Sequence, residues 1–433
     1  MESIWTATCE IPRYPPLKGD LRTDVLVIGG GMAGILCAHM LRKAGIDYTL
    51  VEASRLGWGI TKNTTAKITS QHGLIYQKIF SRFGMERAHK YLDINQAALE
   101  EYRKLCKHID CDFQEQDNFI YSLNDRKKLD DELSLLNQLG FPAELAENLP
   151  LPVPTAGAVK FAGQAQFHPL KFLSHLADGM RIYENTTVRE LTPDSAMTDQ
   201  GTIRFQKVIV ATHFPFINKH GSYFLKMYQQ RSYVLALEGA PKIDGMYLDE
   251  AENGLSFRTY NGSLLLGGGG HRTGKTGGGW HELETFARTH YPEAKITHRW
   301  ATQDCMTLDG IPYIGHYSKR TPNMYVATGF NKWGMTSSMA AALVLADLVQ
   351  DRPNPYADLF SPSRSMLTSQ LGINALEATV NLLSLNQKRC PHLGCALKWN
   401  PQEHSWDCPC HGSRFEEDGT LIDNPATGDL KHP

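Results

Sequence analysis

Four residues near the C-terminus have the types and the spacing of a metal site. Cys390-x-His392 and Cys408-x-x-His411 are separated by fifteen residues, Leu393 to Asp407. Two thiolates and two imidazoles so arranged suit tetrahedral zinc or a [2Fe–2S] centre of mixed ligation. Near the other end, Gly29, Gly31 and Gly34 stand in G-x-G-x-x-G spacing. The first glycine permits a tight turn, the second lets a pyrophosphate approach the backbone, and the third lets helix and strand pack closely. Alone this motif is weak, so its context decides.

The context is a strand, a helix and a second strand in register. Val25-Leu26-Val27-Ile28 reads as a strand buried on both faces. Met32 to Ala44 reads as a helix, stopped by Gly45, whose free N–H groups and positive dipole end point at phosphates. Tyr48-Thr49-Leu50-Val51 is the second strand, ending in Glu52, which is placed to bond a ribose hydroxyl. The unit binds an adenine dinucleotide and does not by itself separate FAD from NAD.

The whole chain, 433 residues, is long enough for two or three domains. A net charge of −2 gives no basic footprint for nucleic acid and no polybasic membrane anchor. No run has the length of a membrane span, and the most apolar window, Met339 to Val349, is broken by Asp347. The start, MESIWTATCEIPRYPP, has no signal-peptide pattern, so a cytoplasmic protein is expected. Of nine cysteines, four crowd into Cys390–Cys410, unlike a structural disulfide framework. Lys207 to Thr212 is a clear buried strand, Arg231 to Gly270 alternates strand-like runs with turns, and Thr336 to Val349 is a helix entered through Gly334. A Pro-containing linker, Asp351 to Ser365, leads to a helical stretch, Met366 to Leu385.

The order of these features resembles the superfamily of glycine oxidase, sarcosine oxidase and D-amino acid oxidase over residues 22–350. Three matches carry it: the fingerprint with Glu52, the Lys207–Thr212 strand, and the block DGIPYIG…NMYVATGFNKWGMTSS. The resemblance implies FAD and an α/β architecture, in which a Rossmann-like FAD-binding domain interleaves with an α+β substrate domain built on an antiparallel sheet. It assigns 22–84, 155–230 and 300–350 to the FAD domain, and 85–154 and 231–299 to the substrate domain. Linker and helix occupy 351–386, and a small C-terminal module occupies 387–433. Val188 is expected near the adenine, Thr65 along the cofactor, and Gly334, Met335 and Thr336 at a helix N-terminus beside the flavin pyrimidine edge. Lys67 is a candidate to polarise the flavin or activate oxygen, or else a plain surface lysine. His72, Lys332 and Trp333 are flavin neighbours or plain core and rim residues. Amino-acid-oxidising members hold the substrate carboxylate with an arginine a few residues before the D-G-x-P block. Asp304 stands there in this chain, which implies a cationic amine substrate. Arg258, His271 or Arg272 is the alternative clamp for a carboxylate.

The C-terminal flanks, Cys-Pro-His-Leu-Gly-Cys and Cys-Pro-Cys-His-Gly-Ser, resemble the two cluster-binding loops of Rieske proteins. That resemblance implies that Cys390 and Cys408 hold one iron, that His392 and His411 hold the other, and that Cys395 and Cys410 form a disulfide. Asn424-Pro425-Ala426 resembles the loop covering the cluster. Ser413 stands where a hydroxyl bonds a bridging sulfide, and Phe415 where respiratory examples place a tyrosine. One hydrogen bond is therefore missing, and a potential below the top of the roughly −150 to +300 mV range is expected. The strands that normally precede the first loop are also missing, so the expectation is a shortened module that docks on the flavin domain for support, or one that holds a labile cluster or none. The implied function is an FAD-dependent amine or amino acid dehydrogenase. It would take hydride from a small-molecule substrate and pass electrons singly through the cluster to an external redox protein or quinone. A flavin oxidase with a structural metal tail and a non-catalytic redox sensor are the alternatives.

Overall fold

The computed structural model describes residues 2–217, 220–384 and 388–430. A six-stranded sheet forms its first layer. Its order runs Tyr313–His316, Met324–Thr328, Lys207–Val210, Val25–Ile28, Tyr48–Val51, Ile182–Tyr183. All neighbours are parallel except the Tyr313–His316 edge strand. Val25–Ile28 is buried throughout because both faces of this sheet are covered. Val25 and Val27 face a core with the helices Met32–Lys43 and Gly334–Val349, which pack on each other. Leu26 and Ile28 face a second core shared with a small four-stranded sheet that carries Ala196 and Ile203.

The second layer is a nine-stranded sheet, antiparallel except where Met246–Asp249 runs parallel to Gln114–Ser122. Its strands run across the expected domain boundaries. Gly157–Gln166, expected in the FAD domain, pairs along Gln114–Ser122 in this sheet. Residues 300–307 also belong here, because Trp300 to Thr307 pair without a break along Met227 to Val234. The polar run Thr302-Gln303-Asp304 hid that strand. Lys67–Ile68 adds the far edge, tying the cofactor loop to the substrate sheet.

The expected Met366–Leu385 helix is found as Ser369–Leu383, capped by the Thr368 hydroxyl, which accepts the Leu371 amide at 3.3 Å. Leu385 and Gln387, named in the expected helix and module, lie outside the described residues. Among the described residues no helix is long and apolar enough to cross a membrane. The C-terminal module is a four-stranded antiparallel sheet of two- and three-residue strands. Its own core is seven buried residues, four of them cysteines, too few to hold a free-standing fold. It leans on the larger body instead. Gln229 Nε2 donates to the His411 carbonyl at 2.7 Å, and Gln303 Nε2 to that of Gly412 at 2.8 Å. Asn424 Nδ2 donates to the carbonyls of Thr212 at 2.6 Å and Phe214 at 2.8 Å. Docking is thus the outcome expected of a shortened module.

Candidate cofactor and cluster sites

The parallel strands end at a cavity of 1690 Å³, whose walls include Gly29, Gly31, Glu52, Thr65, Lys67, Val188, Asp304, Gly334 and Met335. The fingerprint is built as its spacing requires. A Cβ on Gly34 would lie 1.8 Å from the Gly29 carbonyl oxygen, so only glycine lets this helix approach the strand. At the helix start, the Met32 amide donates to the Thr61 hydroxyl at 3.0 Å, a contact absent from the sequence reading. Glu52 accepts the Gly30 amide at 2.7 Å and the Ser54 amide at 2.9 Å, and burial raises its pKa against those bonds. A glycine cradle, a helix N-terminus and an acid at the second strand end fit the diphosphate and ribose of FAD.

At the opposite end, Lys67 donates to the Thr65 hydroxyl at 3.1 Å. Burial, with the Arg258 charge in support, lowers its pKa to about 7. Asp304 is raised to about 6 by burial, opposed by Lys332 and Arg231. Tyr228, Asp249 and Glu252 line the same cavity. Lys332 Nζ donates to the Glu252 carbonyl at 2.9 Å.

Other expected residues make contacts of their own, His72 and Trp333 while lining the cavity, and Thr336, His271, Arg272 and Arg258 away from it. The Thr336 hydroxyl turns into the core, where it donates to the Thr69 carbonyl at 2.9 Å and meets His72 at 2.8 Å. His72 also bonds Tyr91 at 2.6 Å and stacks on Trp333, and burial holds it neutral with a pKa of about 3. His271 is not on the cavity wall. Its Nε2 meets the Tyr233 hydroxyl at 2.9 Å, and that hydroxyl donates to Glu403 of the C-terminal module at 3.0 Å. A register shift between Arg231 and Tyr233 turns this part of the sheet toward the module. Arg272 is likewise committed there, donating to the Pro409 carbonyl at 3.1 Å. Arg258 is fully buried, donates to the Ala66 carbonyl at 3.1 Å and lies against the rings of Trp5 and Tyr260.

The two cysteine–histidine loops fold alike. The Gly394 amide donates to the Cys390 carbonyl at 2.9 Å, and the Gly412 amide to the Cys408 carbonyl at 2.9 Å. The rings of His392 and His411 stand 4.9 Å apart, nearly perpendicular. Burial lowers their pKa values to about 4 and about 3, leaving neutral imidazoles, the form that binds metal. His411 Nδ1 is buried without a hydrogen-bond partner. The Cys390 pKa falls to about 7, first through its bond with Cys408, with Ser413 helping against burial. The sulfurs of Cys395, Cys408 and Cys410 lie within 4.8 Å of one another, but Cys395 and Cys410 are bridged, which leaves the Cys408 sulfur free to bind a metal. These donors fit a two-thiolate, two-imidazole cluster.

Residues 24–348 match the family model described as FAD dependent oxidoreductase. The chain belongs to that family. Residues 381–433 match the Rieske [2Fe-2S] domain, so this oxidoreductase carries FAD and an iron–sulfur module on one chain. A Rieske 2Fe-2S iron-sulfur protein of Bacillus subtilis, YhfW, is 36% identical, covering 99% of this chain and 97% of its own. The gamma-glutamylputrescine oxidoreductase of Escherichia coli is 26% identical over 80% of this chain and 89% of its own. In fold, the chain is similar to the glycine oxidase of Geobacillus kaustophilus. The TM-score is 0.66 at 21% identity, over 80% of this chain and 99% of that one.

The sequence reading missed Phe214, whose ring meets His392 and His411 edge-on at 6.4 and 6.3 Å. Its position just past a buried parallel strand was the available signal, since such strand ends border ligand crevices. It also missed Glu403, which accepts from Arg231 across the seam and from Arg414 within the module, and nothing in the local run Asn-Pro-Gln-Glu-His marks that role.

Proposed function

We propose that this oxidoreductase is an amine dehydrogenase whose electrons leave through its own cluster module. The observation that carries this reading is the seating of both histidine rings on Phe214, directly after the strand whose end lines the cofactor cavity. FAD supplies two-electron hydride acceptance, and the cluster supplies one-electron transfer.

The chain's own residues prepare the substrate. Asp304 is anionic above about pH 6 and attracts an ammonium group, with Asp249 and Glu252 lining the same cavity. An amine is oxidised as the free base, so a proton must leave its nitrogen. Lys67 Nζ, half neutral near pH 7, is the group in this cavity suited to receive it. The positive dipole end of the Gly334–Val349 helix favours the negative charge that accumulates on the pyrimidine edge. The Escherichia coli relative is named for gamma-glutamylputrescine, in keeping with an amine. Neither Arg258, sealed in the core, nor Arg272, committed to Pro409, offers the carboxylate clamp an α-amino acid needs. A small redox protein or quinone as acceptor, and a cytoplasmic setting, belong to the same proposal.

Anaerobic mixing with a panel of amines and α-amino acids tests it, following flavin absorbance and the cluster's electron-spin signal together. The expected result is bleaching by amines, followed by reduction of the cluster without any added mediator. Turnover of α-amino acids alone would overturn the substrate assignment, and a cluster that stays oxidised would overturn the electron route.

A further inference from the structure

The Ser369–Leu383 helix is apolar on the wrong side. Its inward face is polar. Asn374 accepts from Arg272 at 2.9 Å, Glu377 pairs with Lys275 at 2.8 Å, and the Asn381 carbonyl accepts the Ala396 amide at 3.0 Å. Its outward face carries Ile373, Leu376, Val380 and Leu383, exposed by 54, 66, 58 and 77%. The steps between these four are three, four and three residues, the seam spacing of one helix packing along another. We infer that this stripe is the contact through which two copies of the chain pair.

Three features select a second copy as the occupant. The stripe is a narrow seam, whereas a helix lying on a membrane shows a broad apolar face bordered by Lys and Arg. The helix contains no Lys or Arg, and its one acid is turned inward. Gly372 is the second feature. It sits inside the helix, where glycine costs about 1 kcal/mol relative to alanine, and a Cβ there would meet nothing within this chain. Close approach of a partner helix gives that glycine a purpose.

Area is the third. Leu367 just before the helix, Leu382 within it and Leu393 next to Gly394 in the first cluster loop are exposed by 83, 48 and 39%, and Leu382 lies against that glycine. With the seam residues they expose on the order of 700 Å² per copy, near the roughly 800 Å² per partner of a standard interface. An apolar seam of this size on a helix without Lys or Arg can meet its own copy, as a two-fold contact requires.

Sedimentation equilibrium of the full-length protein, loaded with FAD and cluster, tests the pairing. The expected mass is twice the 48.4 kDa of one chain. Leu376→Glu and Leu383→Glu each place a charge in the seam of both copies, and the dimer dissociation constant should rise by about a hundredfold or more. The yellow chromophore and electron-spin signal of each variant should match the parent, which separates lost pairing from lost folding. A monomer at every concentration would overturn the inference, as would a dimer indifferent to both substitutions. So would stripe-dependent cosedimentation of a monomer with phosphatidylcholine vesicles, because the occupant would then be a lipid surface.

Discussion

The ring of Phe214 stands edge-on to that of His411, with centroids 6.3 Å apart. Phe214 is fully buried, and its carbonyl accepts Asn424 Nδ2, so ring and backbone both hold the cluster module on the flavin domain. His411 is therefore buried against the flavin domain, and His392 partly so. Removing the ring in Phe214→Ala costs about 3–5 kcal/mol, part of it in docking. Substrate should still bleach the flavin at the parental rate, while the cluster is reduced more slowly. Phe214→Leu, which keeps most of the volume, should lie between. Stopped-flow absorbance with freeze-quenched electron-spin spectra resolves the two phases, and equal slowing of both would count against an internal route.

A second anchor is ionic. Glu403 accepts from Arg231, Arg414 and Tyr233, with both arginines nearly buried. Burial alone would raise the Glu403 pKa, but Arg231 and Arg414 outweigh it and bring it from 4.5 down to about 2. A carboxyl depressed by folding stabilises the folded state fully above its unfolded value, and that stability is lost as pH falls from about 4.5 toward 2. Glu403→Gln leaves the buried Arg231 guanidinium facing a neutral amide, while Arg414 keeps Asp407 and Asp423, at a cost of about 3–5 kcal/mol near pH 7. Its melting temperature should drop at pH 7, and the gap to the parent should narrow by pH 3. A gap that is constant across this range would show that the pair does not anchor the fold.

What the sequence made legible was chemistry fixed by short spacing. Gly29, Gly31, Gly34 and Glu52 sit in one βαβ unit, and each cluster loop brings its ligands from within a few residues of one another. What it hid depends on pairing across long separations. Arg231 meets Glu403 across 172 residues, and neither neighbourhood announces the other. His271 has the chemistry of a catalytic base, but strand register decides which wall it faces, and here it faces the module through Tyr233. Thr336 begins the right helix, yet its hydroxyl rotates toward Thr69. Residue type names the candidates, and register and rotation choose among them.

Lys67 gives a prediction in pH. Burial and Arg258 favour its neutral form, so the capacity of Nζ to receive a proton rises as pH passes through about 7. Flavin reduction by a saturating amine should therefore accelerate with pH and level off above that value. Lys67→Met removes the acceptor and should slow reduction by about 10²–10⁴-fold, flattening the step near pH 7. A step that survives unchanged in Lys67→Met would assign it to the substrate's own nitrogen.

Phe415 makes the cluster's potential testable by addition. The ring is buried in the same small core as Cys390 and Cys408, and it offers no hydroxyl. Ser413 is the hydroxyl present, and it already accepts the Ala426 amide at 3.0 Å, which fixes its oxygen and leaves its proton to donate. A donor to a cluster sulfur stabilises the more negative, reduced state and raises the potential. If Phe415→Tyr adds about 1.4 kcal/mol of such preference, the one-electron potential rises by roughly 60 mV. Ser413→Ala should shift it the other way. Redox titration followed by electron-spin resonance reads both changes directly. Because one substitution gains a donor and the other loses one, opposite signs are required. Shifts of the same sign would mean that packing, rather than hydrogen bonding, sets this potential.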